Sequence, residues 1–202
     1  MSTPPPPFAR ARNEAQRQDR LARLTAATRE LLTSTRATAL TLGDVAAAAG
    51  LAKSGILRYA GSREALLLRV MHDEHLTWIE ALTDELPHTN PASALAHTLA
   101  ARPVLCDLIA ASPALIARLS PDEMRILAAQ ATDAQQRLGA ALRPSLPLSD
   151  DQLSALTAAV HAFTGTTWAW ADPQVLQPMV TDFESTLSRL LTVFIAGLEA
   201  TR

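Results

Sequence analysis

Apolar residues recur along this chain with the 3.6-residue period of amphipathic helices. Over residues 12–32, Leu21, Leu24, Thr28, Leu31 and Leu32 share one side, while Arg17, Arg20, Arg23 and Glu30 lie mostly elsewhere. Thr33, Ser34 and Thr35 then stop the pattern, because their hydroxyls compete for backbone hydrogen bonds. Thr41 is placed as an N-cap for a short helix with apolar positions at Leu42, Val45, Ala46 and Ala49. Gly50 stands where the chain needs a positive φ to leave that helix. A second short helix is expected from Ala52 or Lys53 to about Tyr59, broken by Gly61. Ser62 then caps a long helix over 63–86, with Leu67, Val70 or Met71, Glu74 and Trp78 as its inner stripe. Prolines mark the remaining boundaries, predicting helices over 92–101, 103–111, 113–119, 121–143, 150–170 and 177–200.

Composition agrees with an all-α fold: 39 Ala and 32 Leu among 202 residues, against 7 Gly and 4% aromatics. The Pro-rich stretch MSTPPPPFA opens a tail, residues 1–11, that reads as disordered. One cysteine excludes a disulfide scaffold, and no apolar run approaches the roughly 20 residues of a membrane span. With no signal-peptide pattern either, the expected location is the cytoplasm, at the nucleoid when bound to DNA. The net charge of −2 conceals a division. Residues 1–70 carry 11 Lys+Arg against 5 Asp+Glu, a net of +6, whereas residues 71–202 carry a net of −8. A basic first third joined to an acidic remainder points to one module for a polyanion and another for something else.

The helix–Gly–helix unit between Leu42 and Tyr59 has helix-turn-helix spacing, although on spacing alone an ordinary αα-hairpin is an equal reading. The full string TLGDVAAAAGLAKSGILRYAGSREALLLRV resembles the DNA-binding domain of the TetR (tetracycline-repressor-like) family of bacterial transcription regulators. The features that carry the resemblance are Asp44-Val45, Ala46 to Gly50, Leu51, Ala52, Lys53, Arg58-Tyr59, Ser62-Arg63-Glu64 and Leu66. It covers about residues 12–72, which are expected to form the DNA-binding domain. The resemblance implies that Lys53, Ser54 and Gly55 open the recognition helix at the bases, and that Gly43 can also face one. It implies backbone contacts from Thr41, Arg58, Tyr59 and Arg63. For Tyr59, packing against the preceding helices is the competing role. Two positions depart from the family pattern. Leu57 stands where Tyr is usual, removing a hydroxyl, and Ala60 stands where Phe is usual, leaving a smaller plug beside the long helix.

For residues 73–202 the resemblance implies a helical effector-binding and dimerisation domain, with Arg102-Pro-Val-Leu-Cys-Asp-Leu108 similar to one branch of the family. The last two predicted helices carry apolar stripes wider than one small core needs, which suits a four-helix interface in a homodimer. Candidate ligand-binding residues are Trp78, Arg102, Cys106, Met124, His161, Phe163 and Trp168, a mostly apolar set that suits a hydrophobic or aromatic small molecule. Trp170, His97 and Arg125 are secondary candidates.

No cofactor fingerprint, nucleophile elbow or Walker-type loop occurs, so no catalytic residue is assigned. His72 and His75, at i and i+3, can share a helix face and bind a metal. Without a third ligand at metal spacing, a polar helix face is the stronger reading, and no metal is assigned. The resulting expectation is a ligand-responsive dimeric regulator released from a palindromic operator by a small-molecule effector, and not an enzyme. The competing readings are an all-α metal-binding or enzymatic protein built on His72 and His75, and a helical protein-interaction module.

Overall fold

The computed structural model describes residues 7–171 and 180–201, with the side chains of 7–15 and of Lys53 left aside. The described residues form nine α-helices and no strand. The first, α1 (Pro7–Leu32), is followed by the short pair α2 (Leu42–Ala49) and α3 (Lys53–Ala60). The long α4 (Arg63–Glu85) leads to α5 (Pro91–Ala100), α6 (Pro103–Ile116), α7 (Pro121–Leu142), α8 (Asp150–Trp170) and α9 (Phe183–Ala200).

Local chemistry accounts for most boundaries. The Thr41 hydroxyl accepts from the Asp44 N–H while the Asp44 carboxylate accepts from the Thr41 N–H, a reciprocal capping box that starts α2. Gly50 ends α2 at φ 63°, a left-handed conformation that costs glycine nothing. Ser62 caps α4 through the Ala65 N–H at 3.0 Å, and Ser120 and Ser149 make capping boxes with Glu123 and Gln152. Pro91, Pro103 and Pro121 each occupy a first helical turn, where a missing N–H loses nothing.

Three expectations need correction. Helix α1 begins at Pro7 rather than near Arg12, so residues 7–11 are helical and not a disordered tail. Proline at the start of a helix has its φ already suited to it. The helices expected at 103–111 and 113–119 are one, α6, with Pro113 inside it. Pro113 cannot donate to the Ile109 carbonyl four residues back, and the Ser112 hydroxyl supplies that bond instead, at 2.8 Å. Finally, the helix expected from residue 177 begins at Phe183, where Asp182 caps it through the Ser185 N–H at 3.1 Å. Residues 177–179 lie outside the described residues.

The buried side chains fall into two clusters. One gathers Leu24, Val45, Ile56 and Leu66 to Leu68 from the first four helices and Leu40 from the loop between α1 and α2, and it also takes Leu108, Ala111 and Leu115 from α6. The other joins Trp78, Leu82, Leu95, Cys106 and Leu138 to Leu156, Leu187 and Leu191. Helices α4 and α6 thus contribute to both. On α4 the buried residues are Leu66, Leu67, Leu68, Val70, His75, Trp78, Ile79 and Leu82. Glu74, expected on the inner stripe, is half-buried and pairs with Arg29 of α1. Among the described residues no single helix is long and apolar enough to cross a membrane. Helices α5 and α6 pass that test only together, across a 94° bend.

The small side chain of Ala60 leaves a gap of about 60 Å³, bordered by Ala65 and Arg69 of α4 and by Leu119, Glu123 and Leu127. Filling such a space with aliphatic carbon stabilises when the wall accepts it. Ala60→Leu is expected to raise stability by about 0.5–1 kcal/mol, read as a rise in the urea midpoint at unchanged slope.

Candidate DNA-binding surface and ligand cavity

Helices α2 and α3 are held by α1 and α4 through Val45, Ala46 and Ile56, which are buried in the first cluster. That packing turns the opposite face of α3 outward. Ser54 and Arg58 are exposed on it, Gly55 is half-exposed, and Thr41 and Gly43 flank it from the start of α2. Leu57, on the same helix, is 49% exposed. Lys53 heads α3, and its side chain lies outside the described residues. Tyr59 is half-buried, and the structure shows the packing role considered for it. Its ring packs against the first cluster, while its hydroxyl accepts from the Arg20 guanidinium, which lies 5.3 Å from the ring centroid. Arg20, a surface position by its sequence pattern, is thereby brought to the recognition helix from 39 residues away.

Arg63 behaves differently from the expectation. Its Nε donates to the Leu40 carbonyl at 2.5 Å, one terminal nitrogen donates to the Ala37 carbonyl, and the other donates to Glu64 at 3.2 Å. The guanidinium braces the loop between α1 and α2 rather than facing outward.

Two carboxylates tie this module to the rest. Asp107 of α6 accepts from Arg36 Nη1 at 2.7 Å and from the Ala37 N–H at 2.6 Å, in the same loop. Glu123 of α7 meets the turn between α3 and α4. A side chain at Gly61, where φ is 81°, would stand 2.7 Å from its carboxylate. Burial raises the Glu123 carboxyl, but bonds from Ser120 and Ser62 outweigh this and hold it below the ordinary value. Neither carboxylate stood out in the sequence. Asp107 inside the apolar run Val104 to Ile109 was the available signal.

A cavity of about 290 Å³ opens between α4, α6, α7 and α8. His72, His75 and Met71 line it from α4, Ile116 from α6, Gln130 and Ala134 from α7, and His161 from α8. Of the seven ligand candidates, His161 alone lines it. Trp78 is fully buried in the second cluster, its edge toward His75 and its Nε1–H donating to Thr98 at 2.9 Å. Arg102 donates to the Thr77 carbonyl at 3.2 Å, and Met124 is half-buried on α7. Phe163 packs edge-to-face on Phe194, and Trp168 on Phe183 with Arg36 over its ring. Cys106 is fully buried, and burial, then the Asp107 charge, pushes its thiol up to about 12, which makes it an inert core residue. Of the secondary candidates, Trp170 is exposed, His97 meets Glu184 at 3.1 Å, and Arg125 pairs with Asp122.

His75 is not part of a polar surface face, as its sequence position suggested. It is 4% exposed, and its Nε2 lies 2.7 Å from His161 Nε2. His161 Nδ1 lies 2.9 Å from the Thr157 carbonyl, which only accepts, so that nitrogen carries a proton. Burial, reinforced by the neighbouring His161 and His72, lowers the His75 pKa to about 3. Burial also lowers that of His161, against the Thr157 carbonyl, which raises it. Both rings are therefore neutral near pH 7, and His75 Nε2–H donates to His161 Nε2. Among the described residues no group of three or more His, Cys, Asp or Glu is arranged to hold a metal ion.

Comparison with known proteins follows this geometry. A family model described as bacterial regulatory proteins, tetR family, matches residues 24–70, and one described as tetracyclin repressor-like, C-terminal domain, matches residues 72–202. Among solved structures, a TetR transcriptional regulator from Rhodococcus sp. RHA1 aligns at a TM-score of 0.58 and 16% identity, covering 91% of this chain and 99% of that one. The fatty acid degradation regulator FadR from Bacillus halodurans gives 0.57 and 13%, covering 89% and 96%. FadR from Bacillus subtilis, in complex with stearoyl-CoA, gives 0.56 and 12%, covering 87% and 98%. At these identities the likeness is one of fold. A search of curated protein sequences finds no match.

The neutral histidines carry a consequence for stability. Unfolded His75 binds a proton near pH 6.5 while the folded form resists it down to about 3. The unfolded state therefore gains protons first, and stability falls as pH drops through that window. Between pH 7.5 and pH 5, His75 alone is expected to cost about 2 kcal/mol. Urea unfolding at the two pH values reads this loss, and His75→Phe should flatten it.

Proposed function

The chain belongs to the TetR family of bacterial regulatory proteins, and from that premise we propose that two copies grip an operator through α3 and let go when a small molecule enters the C-terminal domain. It is a transcriptional regulator with an N-terminal helix-turn-helix domain and a C-terminal helical domain. The observation that carries the DNA-binding reading is the outward face of α3, with Ser54 and Arg58 exposed on a module held rigid from behind. The net charge of +6 on residues 1–70 supports it, since phosphate neutralisation dominates affinity for DNA.

In this reading Lys53, Ser54, Gly55 and Gly43 approach base edges in the major groove, while Thr41 and Arg58 sit along the backbone. Tyr59 and Arg20 act together at a phosphate. Arg63 is assigned to the scaffold, because its nitrogens are engaged internally. Leu57 offers the apolar contact that a thymine methyl group accepts.

The dimer is assigned to α8 and α9. Val193 is 74% exposed and Leu190 stands beside it at i−3, with Trp170 exposed at the end of α8. The exposed face of α8 carries small residues, Ala155, Ala158, Ala162 and Ala169, over which a second copy can pack closely. Two recognition helices about 34–36 Å apart then meet successive major grooves of a palindrome. Repression relieved by an apolar effector, in the cytoplasm at the nucleoid, completes the proposal.

A gel shift against DNA flanking the protein's own gene, at two salt concentrations, tests it. Specific binding that weakens steeply with salt is expected. Lys53→Ala combined with Tyr59→Ala should abolish it while the dimer persists in sedimentation, and retained specific binding would sink the proposal. Val193→Glu should shift sedimentation toward the monomer and weaken operator binding at least tenfold; an unchanged dimer removes α9 from the interface.

A further inference from the structure

The cavity between α4, α6, α7 and α8 combines three features that together restrict its occupant. Its wall holds no Lys, Arg, Asp or Glu, so a ligand charge would be buried without a partner. Its 290 Å³ lies at the small end of sites for drug-sized ligands. Beside the polar side chains of His72, Ser112, Gln130 and Gln135, its wall carries one oriented chain, His75 Nε2–H to His161 Nε2 and His161 Nδ1–H to the Thr157 carbonyl. That arrangement uses both donors and leaves the His75 Nδ1 lone pair as the acceptor of the pair.

We propose that this cavity takes an uncharged, mainly apolar molecule carrying one hydroxyl or N–H group, which donates to the His75–His161 pair. The inference rests on the reading of the chain as an effector-released regulator and supplies the ligand class for it. An acyl-CoA does not suit the cavity, since its phosphates need cations that the wall lacks. A carboxylic acid is disfavoured at the His75–His161 pair, because pairing it there would require a charged imidazole in a buried site. The cavity exists because α7 presents Ala131 and Ala134 where larger side chains would close it.

The experiment uses the full chain and defined probes. Calorimetry at pH 7.5 compares two ten-carbon alcohols, 2-naphthol and 1-decanol, with naphthalene-2-sulfonate and decanoyl-CoA. Saturable binding of an alcohol, one per chain and at least tenfold tighter than either anion, is expected. His161→Phe should weaken binding of the alcohol about tenfold while leaving naphthalene unaffected, a split that general damage to the fold would not produce. Ala134→Trp should abolish binding by filling the space, and Ala131→Phe gives the same readout from the rim if the first variant fails to fold. Binding of neither alcohol, equal or tighter binding of the sulfonate, or full affinity in both filled variants overturns the proposal. Release of operator DNA is followed separately by gel shift. An alcohol that binds as described without releasing DNA overturns the effector role and leaves the ligand class standing.

Discussion

Helix α4 carries the structure's central constraint. Over 23 residues it rises about 35 Å, and it is buried in two different places. Leu66 to Leu68 and Val70 belong to the cluster behind the recognition helix, and Trp78, Ile79 and Leu82 belong to the core of the C-terminal domain. A continuous helix cannot bend cheaply between two packed cores, so the attitude of one end follows the other. Helix α3, packed against the first of these clusters, has its position relative to the C-terminal core set through this rod.

Helix α6 doubles the connection and adds polar ties. Leu108, Ala111 and Leu115 fill the DNA-binding cluster, while Asp107 satisfies the Ala37 N–H and pairs with Arg36 in the loop that Arg63 also braces. Glu123 of α7 meets the turn that separates α3 from α4. The cavity lies against the same helices, with α4, α6 and α7 forming three of its four walls. A molecule that binds one arrangement of these walls better than another must bias the junction as well, by its difference in affinity for the two. Such a bias would need no separate relay, because the cavity wall and the junction are the same helices.

Much of the DNA-binding module was legible because its determinants are local. The Thr41 cap, its Asp44 partner, the Gly50 exit and the Ser62 cap act within a few residues, and each appears where its chemistry placed it. Boundaries failed where a longer-range or compensating contact intervened. Pro113 should have broken a helix, but the Ser112 hydroxyl takes over the orphaned carbonyl and α6 continues. Arg63 looked like an outward base at a helix start, and only the folded loop brings the Ala37 and Leu40 carbonyls to it. The aromatic and reactive side chains that suggest a ligand site in the sequence serve the core in packing. Trp78, Cys106, Phe163 and Trp168 touch other core groups, whereas the cavity is lined by aliphatic and small side chains, amides and three histidines whose convergence is not visible along the chain.

The all-α class, the helix-turn-helix and the basic and acidic halves follow from periodicity, capping residues and charge, which operate along the chain and need no partner from afar. Where the empty space lies, and which side chains surround it, was decided by tertiary packing. His75 and His161 are 86 residues apart and meet only because α4 and α8 both wall the same cavity. Their neutrality is equally a product of the fold, since burial is what discourages the proton. A histidine three residues from another suggested a surface pair along one helix. The folded chain makes its pair across two helices, at the edge of an internal cavity.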